Sequence, residues 1–328
     1  MLPRPRFILI YKGVDISSEV SPHLISCTYV DKLHGEADEI EVSVQDSRGL
    51  WRGAWCPEHG DIIKLWIGYE NGLMLPCGDF EIDEPNAQLG RGGDTMTFRG
   101  VSAPVSKALR TKKTTAFENQ SLKDIAGKIA GEHGLKVIGT PPDVRFERIT
   151  QRRERDLEFL SRMADNYGAY FSVKGEQLVF EKRDDVHRRG PVLTIAAGSG
   201  TYISADLKRS SSGTYSKAKT SYFDRDTKKE IKAEETDADV TNGDTLRLDE
   251  RVENEGQAKA LTKSALQKAN LKKRTASLSM VGNPRVCAGS IIALGQGFGK
   301  WTGKYVVETS RHKIARGGYE TSIETNGV

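Results

Sequence analysis

The chain contains no Cys-x-x-Cys pair, no apolar run long enough to cross a bilayer, and no His-Glu-x-x-His or Gly-x-Ser-x-Gly signature. Each absence removes a class. Cys27, Cys56, Cys77 and Cys287 are widely spaced, which suits reduced thiols in a cytoplasm better than a disulfide framework. The opening M-L-P-R-P-R-F-I-L-I-Y lacks the long apolar core and cleavage site of a signal peptide and reads as a first strand, so no membrane insertion by this chain is expected. Cys56-Pro57-Glu58-His59 offers two zinc ligands, but a structural site needs four and no second pair lies at a suitable spacing. The six histidines are scattered. Accordingly no catalytic residue, no metal ligand set and no cofactor is expected, and the chain does not read as an enzyme.

What is present is a strongly hydrated composition: 37% hydrophobic and 29% charged residues, a mean hydropathy of −0.51 and a net charge of +4. That charge is too small to name a partner. At 328 residues the chain exceeds one ordinary domain.

The most legible stretch is Thr150 to Glu181. Leu157, Leu160, Met163, Ala164 and Tyr167 recur at helical spacing, and Gly168 supplies the left-handed exit. Ala169 to Val173 and Leu178 to Glu181 then read as a hairpin turning at Lys174-Gly175. An earlier unit of the same kind starts with the capping pair Ser121 and Asp124, carries a stripe of Leu122, Ile125, Ala126 and Ile129, and ends at Gly134 before a strand at Leu135 to Ile138.

Seven β-prone runs precede this module, among them Leu24 to Val30, Leu73 to Leu75, Phe80 to Ile82 and the clean alternation Glu39 to Gln45. The loop from Asp46 to Gly60 holds Trp51 and Trp55, which read as anchors folded onto the barrel end; an exposed pair would instead mark a contact site. After the module, strands are expected at Val192 to Ala196, Ile203 to Arg209, Tyr215 to Phe223 and Lys229 to Ala233, with a turn at 224–227. Asn254 caps a helix with a stripe of Ala258, Leu261, Ala265, Leu266 and Ala269, and four further strand-like runs follow. The fold class is therefore mainly β with an α+β insertion: two tube-like β-barrel domains, 1–106 and 190–328, flank a small helix and hairpin module at 107–189. The module opens with the basic run Lys107, Arg110, Lys112 and Lys113.

Charge is segregated near the third helix. Nine acidic residues lie between Ala233 and Glu255, and Lys259, Lys263, Lys268, Lys272, Lys273 and Arg274 follow without an acid. That basic stripe is the candidate channel lining or polyanion contact, although it lacks the aromatics a base-stacking surface would interleave. A solvated face matched to the preceding acidic segment is the other reading. Gly295-Gln296-Gly297-Phe298-Gly299-Lys300 imitates a phosphate cradle but has Leu294 and Trp301 where that motif requires Gly and Ser or Thr, and it reads as a glycine-rich strand connection.

Three stretches, Asp156 to Val173, Ala260 to Ala269 and Gly282 to Thr321, taken with the β-rich first arm, resemble the phage late control protein D family, which is related to the first part of VgrG. One departure is Arg155, where a small capping residue is expected before Asp156. The resemblance implies a structural hub of a contractile tail, a homotrimer whose two barrels per chain make a pseudo-six-fold ring joining the tail tube to a three-fold spike. Its implied partners are copies of itself, a separate spike protein, the tail tube protein, and baseplate wedge and tape-measure proteins, with at most non-specific contact with DNA. Its implied location is the host bacterial cytoplasm during assembly and then the virion baseplate or a tail-like particle. Two readings from other classes remain beside it: a tail-associated cell-wall hydrolase, and a nucleic-acid-binding protein using the basic helix at 258–274.

Overall fold

A computed structural model describes residues 3–102, 111–224, 228–240 and 243–328. The expected turn at 224–227, the cations Lys107 and Arg110, and the boundary at 106 lie wholly or partly outside those residues.

Alternation builds the sheets. In Glu39–Gln45 the side chains of Ile40, Val42 and Val44 are fully buried while Glu41 and Gln45 face water, so one face of the strand is core and the other wet. Thirteen strands join into one sheet. Its order runs Ser204–Arg209, Arg274–Val281, Gly318–Gly327, Gly303–Ala315, Leu24–Lys32, Glu39–Gln45, Thr95–Val101, Met74–Gln88, Ile62–Tyr69, Pro5–Tyr11 and Val14–Asp15. Ile291–Leu294 and Leu193–Ile195 branch from it.

The branch point is the strand Gly303–Ala315. Its first half pairs with Ile291–Leu294 and its second half with Leu24–Lys32, on either side of a register shift between Val307 and Thr309. Tyr305 and Val307 enter the core built by Ile195, Leu278, Met280 and Ile292, whereas Ile314 enters the core of Leu9, Val42, Leu65 and Phe98. One strand thus serves two cores, and N- and C-terminal residues share one of them.

The runs expected at Leu73 to Leu75 and Phe80 to Ile82 are a single strand, Met74–Gln88. Pro76 and Gly78 suggest a break, but Cys77 is bulged out between them and Gly78 takes φ +105°. Pro76 pairs only with Trp66, at a point where the neighbouring strand on the other side has not begun, so its missing N–H costs no ladder bond.

The small module contains more strand than expected. Lys113–Ser121 and Arg145–Glu154 form a two-stranded ribbon, and Lys136–Gly139 pairs parallel with Gln177–Lys182, itself antiparallel to Ala169–Lys174. Phe117 on the ribbon stacks on Phe159, with ring centroids 5.6 Å apart. For that reason the buried face of the central helix Asp156–Asn166 is turned towards Phe159, and Leu157 sits half-buried at the rim. Leu160, Met163 and Ala164 are buried as expected, each large apolar side chain contributing roughly 1.5–3 kcal/mol. The helix starts at Arg155 without a small cap: the Glu158 carboxylate accepts the Arg155 backbone N–H at 2.9 Å instead. Gly168, at φ +76°, ends it.

A second α+β unit lies between Ser204–Arg209 and Arg274–Val281 in sequence. Tyr215–Asp224, Lys229–Thr236 and Asp244–Leu248 form a separate three-stranded sheet, covered by the helix Glu255–Leu271 through Ala258 and Leu261. Asn254 caps that helix, its side chain accepting Gln257 N–H at 2.9 Å.

Candidate assembly surfaces and charged clusters

The basic helix is only partly uncompensated. Lys263 pairs with Asp184 at 2.7 Å, and Lys268 pairs with Asp165. Both acids belong to the preceding module, so the matching of the stripe to the acidic segment at 233–255 is not what the structure contains. Among the described residues of that segment only the backbone carbonyl of Asp239 takes part, accepting from Lys273 at 2.7 Å. Arg274 donates to the carbonyls of Thr302 and Val328 at 3.2 and 3.3 Å and lies over the Tyr305 ring. Lys259 and Lys272 have no ion pair among the described residues.

The contact between this helix and the module centres on Arg183, a fully buried side chain that sequence reasoning missed. It donates to Asp165 at 3.0 Å and to the Ser264 carbonyl at 3.2 Å, and its guanidinium covers the Tyr170 ring. Tyr170 also meets His187 at 2.9 Å. Burial, reinforced by the charge of Arg183, pushes His187 down to about 4. The only sequence signal for Arg183 was its place directly after an apolar strand.

A second buried charge group joins three parts of the chain. Lys174, from the hairpin, contacts Asp31 and lies 2.6 Å from both carboxylate oxygens of Asp38, while the other Asp31 oxygen accepts Ala288 N–H at 2.9 Å. Two carboxylates face one ammonium. Burial drives Asp38 upward, with Asp31 adding to it, against the pull of Lys174; the paired carboxylates in turn hold Lys174 above its usual value in spite of burial.

Glu132, His133 and Asp156 come within metal-binding distance of one another. The Lys113 ammonium already stands among them, 2.7 Å from Asp156 and 3.5 Å from Glu132. Burial raises the Asp156 carboxyl, but hydrogen bonds from Lys113, His133 and Gln151 outweigh it and hold it below the carboxylate range. The donor set is that of an ion-pair hub. Cys56 is half-buried and its neighbour His59 exposed, and neither joins a potential ligand group among the described residues.

Other marked residues fall into packing roles. Trp51 is buried, stacked on Phe98 and edge-on to Trp55, and only Trp55 is exposed, at 44%. The glycine-rich connection leads into one 3-10 turn, Gly299–Trp301, before the next strand, and a Cβ at Gly297 would approach that of Ala197 to 2.6 Å. His312 is not at a sheet edge. Its strand is central, its Nε2 donates to the Val286 carbonyl at 3.1 Å, and its Nδ1 accepts from Tyr319 Oη at 2.8 Å, a pattern that requires the neutral ring.

Comparison with known proteins adds the following. Residues 86–318 match the model of the phage tail baseplate hub (GPD) family. A "Probable baseplate hub protein" of Escherichia phage 186 is 32% identical over 181 residues, 54% of this chain and 45% of that protein. The chain spans about half the length of the curated relatives it matches. Among solved structures, the 43 kDa tail protein of prophage MuSo2 from Shewanella oneidensis superimposes with a TM-score of 0.75 at 16% identity, covering 98% of each chain. An Escherichia coli protein described as a component of the type VI secretion system, structurally similar to bacteriophage T4 tail proteins, matches with a TM-score of 0.62 at 14% identity over 98% of this chain and 76% of its own.

Proposed function

The chain belongs to the phage tail baseplate hub (GPD) family, and from that premise we propose that it is a structural, non-enzymatic hub that joins a six-fold tail tube to a three-fold spike as a homotrimer. The observation that carries this reading is the strand Gly303–Ala315, which pairs with Ile291–Leu294 through one half and Leu24–Lys32 through the other and so joins strands of both ends of the chain in one sheet. Three such chains can close a ring that presents six sheet bodies to the tube and three-fold symmetry to the spike. In this proposal the bodies at 1–106 and 190–328 are the tube-like barrels, and 107–189 is the module between them. Its partners are further copies, the tail tube, spike, wedge and tape-measure proteins; it assembles in the host cytoplasm and ends in the virion baseplate or a tail-like particle.

Contact of the basic helix with DNA is part of the same proposal in a reduced form. Ion pairs at Lys263 and Lys268 leave Lys259, Lys272, Lys273 and Arg274 without an Asp or Glu partner among the described residues, enough for weak and non-specific attraction.

Light scattering on the isolated protein and on its complex with the spike tests the proposal. Three-fold closure of the 36.2 kDa chain gives a particle of about 109 kDa. A stable dimer, or a spike complex whose chain count is not divisible by three, would rule it out.

A further inference from the structure

Two adjoining clefts of 740 and 350 Å³ lie between the C-terminal end of the Glu255–Leu271 helix, the short helix Arg183–Arg188 and the edge of the large sheet. They share His187, Arg274 and Val328 in their linings and form one trough. One wall is basic: Arg209, Lys273, Arg274 and Lys300, continued by Lys304. Among the described residues none of these has an Asp or Glu partner; Lys273, Arg274 and Lys304 bond to backbone oxygens, of Asp239, of Thr302 and Val328, and of Arg189 at 3.5 Å respectively. A carbonyl satisfies an N–H without cancelling the charge, and it also fixes where the cation points. Lys273 and Lys304 are therefore pre-oriented and still positive, and Arg209 and Lys300 add charge beside them. Lys263, also in the lining, differs: its charge is cancelled by Asp184.

The same lining carries Glu235, Asp237 and Asp239, the last reached by Lys273 through its backbone oxygen. A nucleic-acid strand repeats negative charge on a flexible backbone and would meet repulsion there, and apart from His187 no ring lines the trough to stack a base. A peptide can place acidic side chains on one side only. We infer that this trough is a docking site for an acidic peptide segment of a neighbouring protein. The inference rests on the hub reading only for the source of that segment, a partner in the tail. Charge complementarity with the basic wall supplies both the attraction and the orientation.

The test uses fluorescence anisotropy on the full chain, with a labelled synthetic peptide of alternating Asp and Ser and, separately, labelled single- and double-stranded oligonucleotides. Saturable peptide binding is expected, weakening with salt. The double variant Lys300→Glu/Lys304→Glu, both sites exposed, is expected to weaken it by at least about tenfold with an unchanged melting curve, Lys300→Gln less, and Lys259→Glu, outside the trough, not at all. No saturable binding, equal weakening by Lys259→Glu, or tighter binding of an oligonucleotide that the double variant abolishes would overturn the inference. Peptide binding by a protein that never assembles in multiples of three would support the trough and overturn the hub reading alone.

Discussion

Tyr29 and His312 lie opposite one another across the antiparallel pair that joins the two halves of the chain, with ring centroids 6.1 Å apart and planes at 20°. The stack places an imidazole from the last third of the sequence against the first core. It is fully buried, and burial holds it neutral down to about pH 4, against 6.5 for an ordinary histidine.

Acid stability follows from that ring. On acidification the unfolded chain binds the His312 proton first, so stability that is fully present above pH 6.5 is lost between 6.5 and about 4, by up to about 3 kcal/mol. His187, also held at about 4, acts in the same direction. Asp38 opposes them: its folded value is raised above 3.8, so its contribution grows as pH falls through that window. Two histidines against one carboxylate leave a net loss. Denaturant midpoints measured from pH 7 to 4 should fall, and His312→Gln should flatten the slope whatever it does to the level; an unchanged slope would refute this account.

Lys174→Ala removes the ammonium shared by Asp31 and Asp38 and leaves two buried carboxylates facing each other. A loss of about 3–5 kcal/mol at neutral pH is expected. It should shrink as pH falls from 7 through about 6, where Asp38 takes up its proton, and Lys174→Ala/Asp38→Asn should recover part of it at pH 7. A loss independent of pH would mean that packing alone was affected.

Leu160→Ala should cost about 2–5 kcal/mol by urea unfolding, through lost transfer energy and a cavity. Arg162 makes a two-pronged pair with Glu154, both bonds 3.0 Å, but its side chain is 40% exposed, so Arg162→Ala should cost under about 1 kcal/mol. Equal effects would contradict the assigned face.

Chelators should leave the melting temperature unchanged, because Lys113 occupies the position a cation would take between Glu132 and Asp156. A fall of several degrees on chelation would require a bound ion at this group or near Cys56.

Residues with strong local signals were legible in advance. Asn254 capping its helix, the exit at Gly168 and the alternation of Glu39–Gln45 all lie where pattern and turn chemistry put them. The ribbon of Lys113–Ser121 and Arg145–Glu154 was not, because it is dense in polar and basic residues and lacks the β-branched alternation that marks a strand. Its omission displaced the reading of the central helix, since Phe159 is buried in part by Phe117, which the ribbon brings to it. The partners of Lys263, Lys268 and Lys174 lie 79 to 143 positions away, and no local pattern encodes such pairings. A run of like charges showed where cations cluster, not which of them a distant carboxylate neutralises.

The strand that serves two cores also sets a timetable. Leu24–Lys32 leaves the ribosome early, yet the partner for one of its edges, the second half of Gly303–Ala315, is made about 280 residues later. At ordinary synthesis rates that edge stays open for on the order of tens of seconds, long enough to pair with the edge of another nascent chain. Completion of the first core, which needs Ile314 and Tyr319, waits equally long. Yield of soluble protein should therefore depend on how quickly that later strand is delivered and on what shields the waiting edge meanwhile, so that translation speed and chaperone supply become determinants of how many hubs a cell can make.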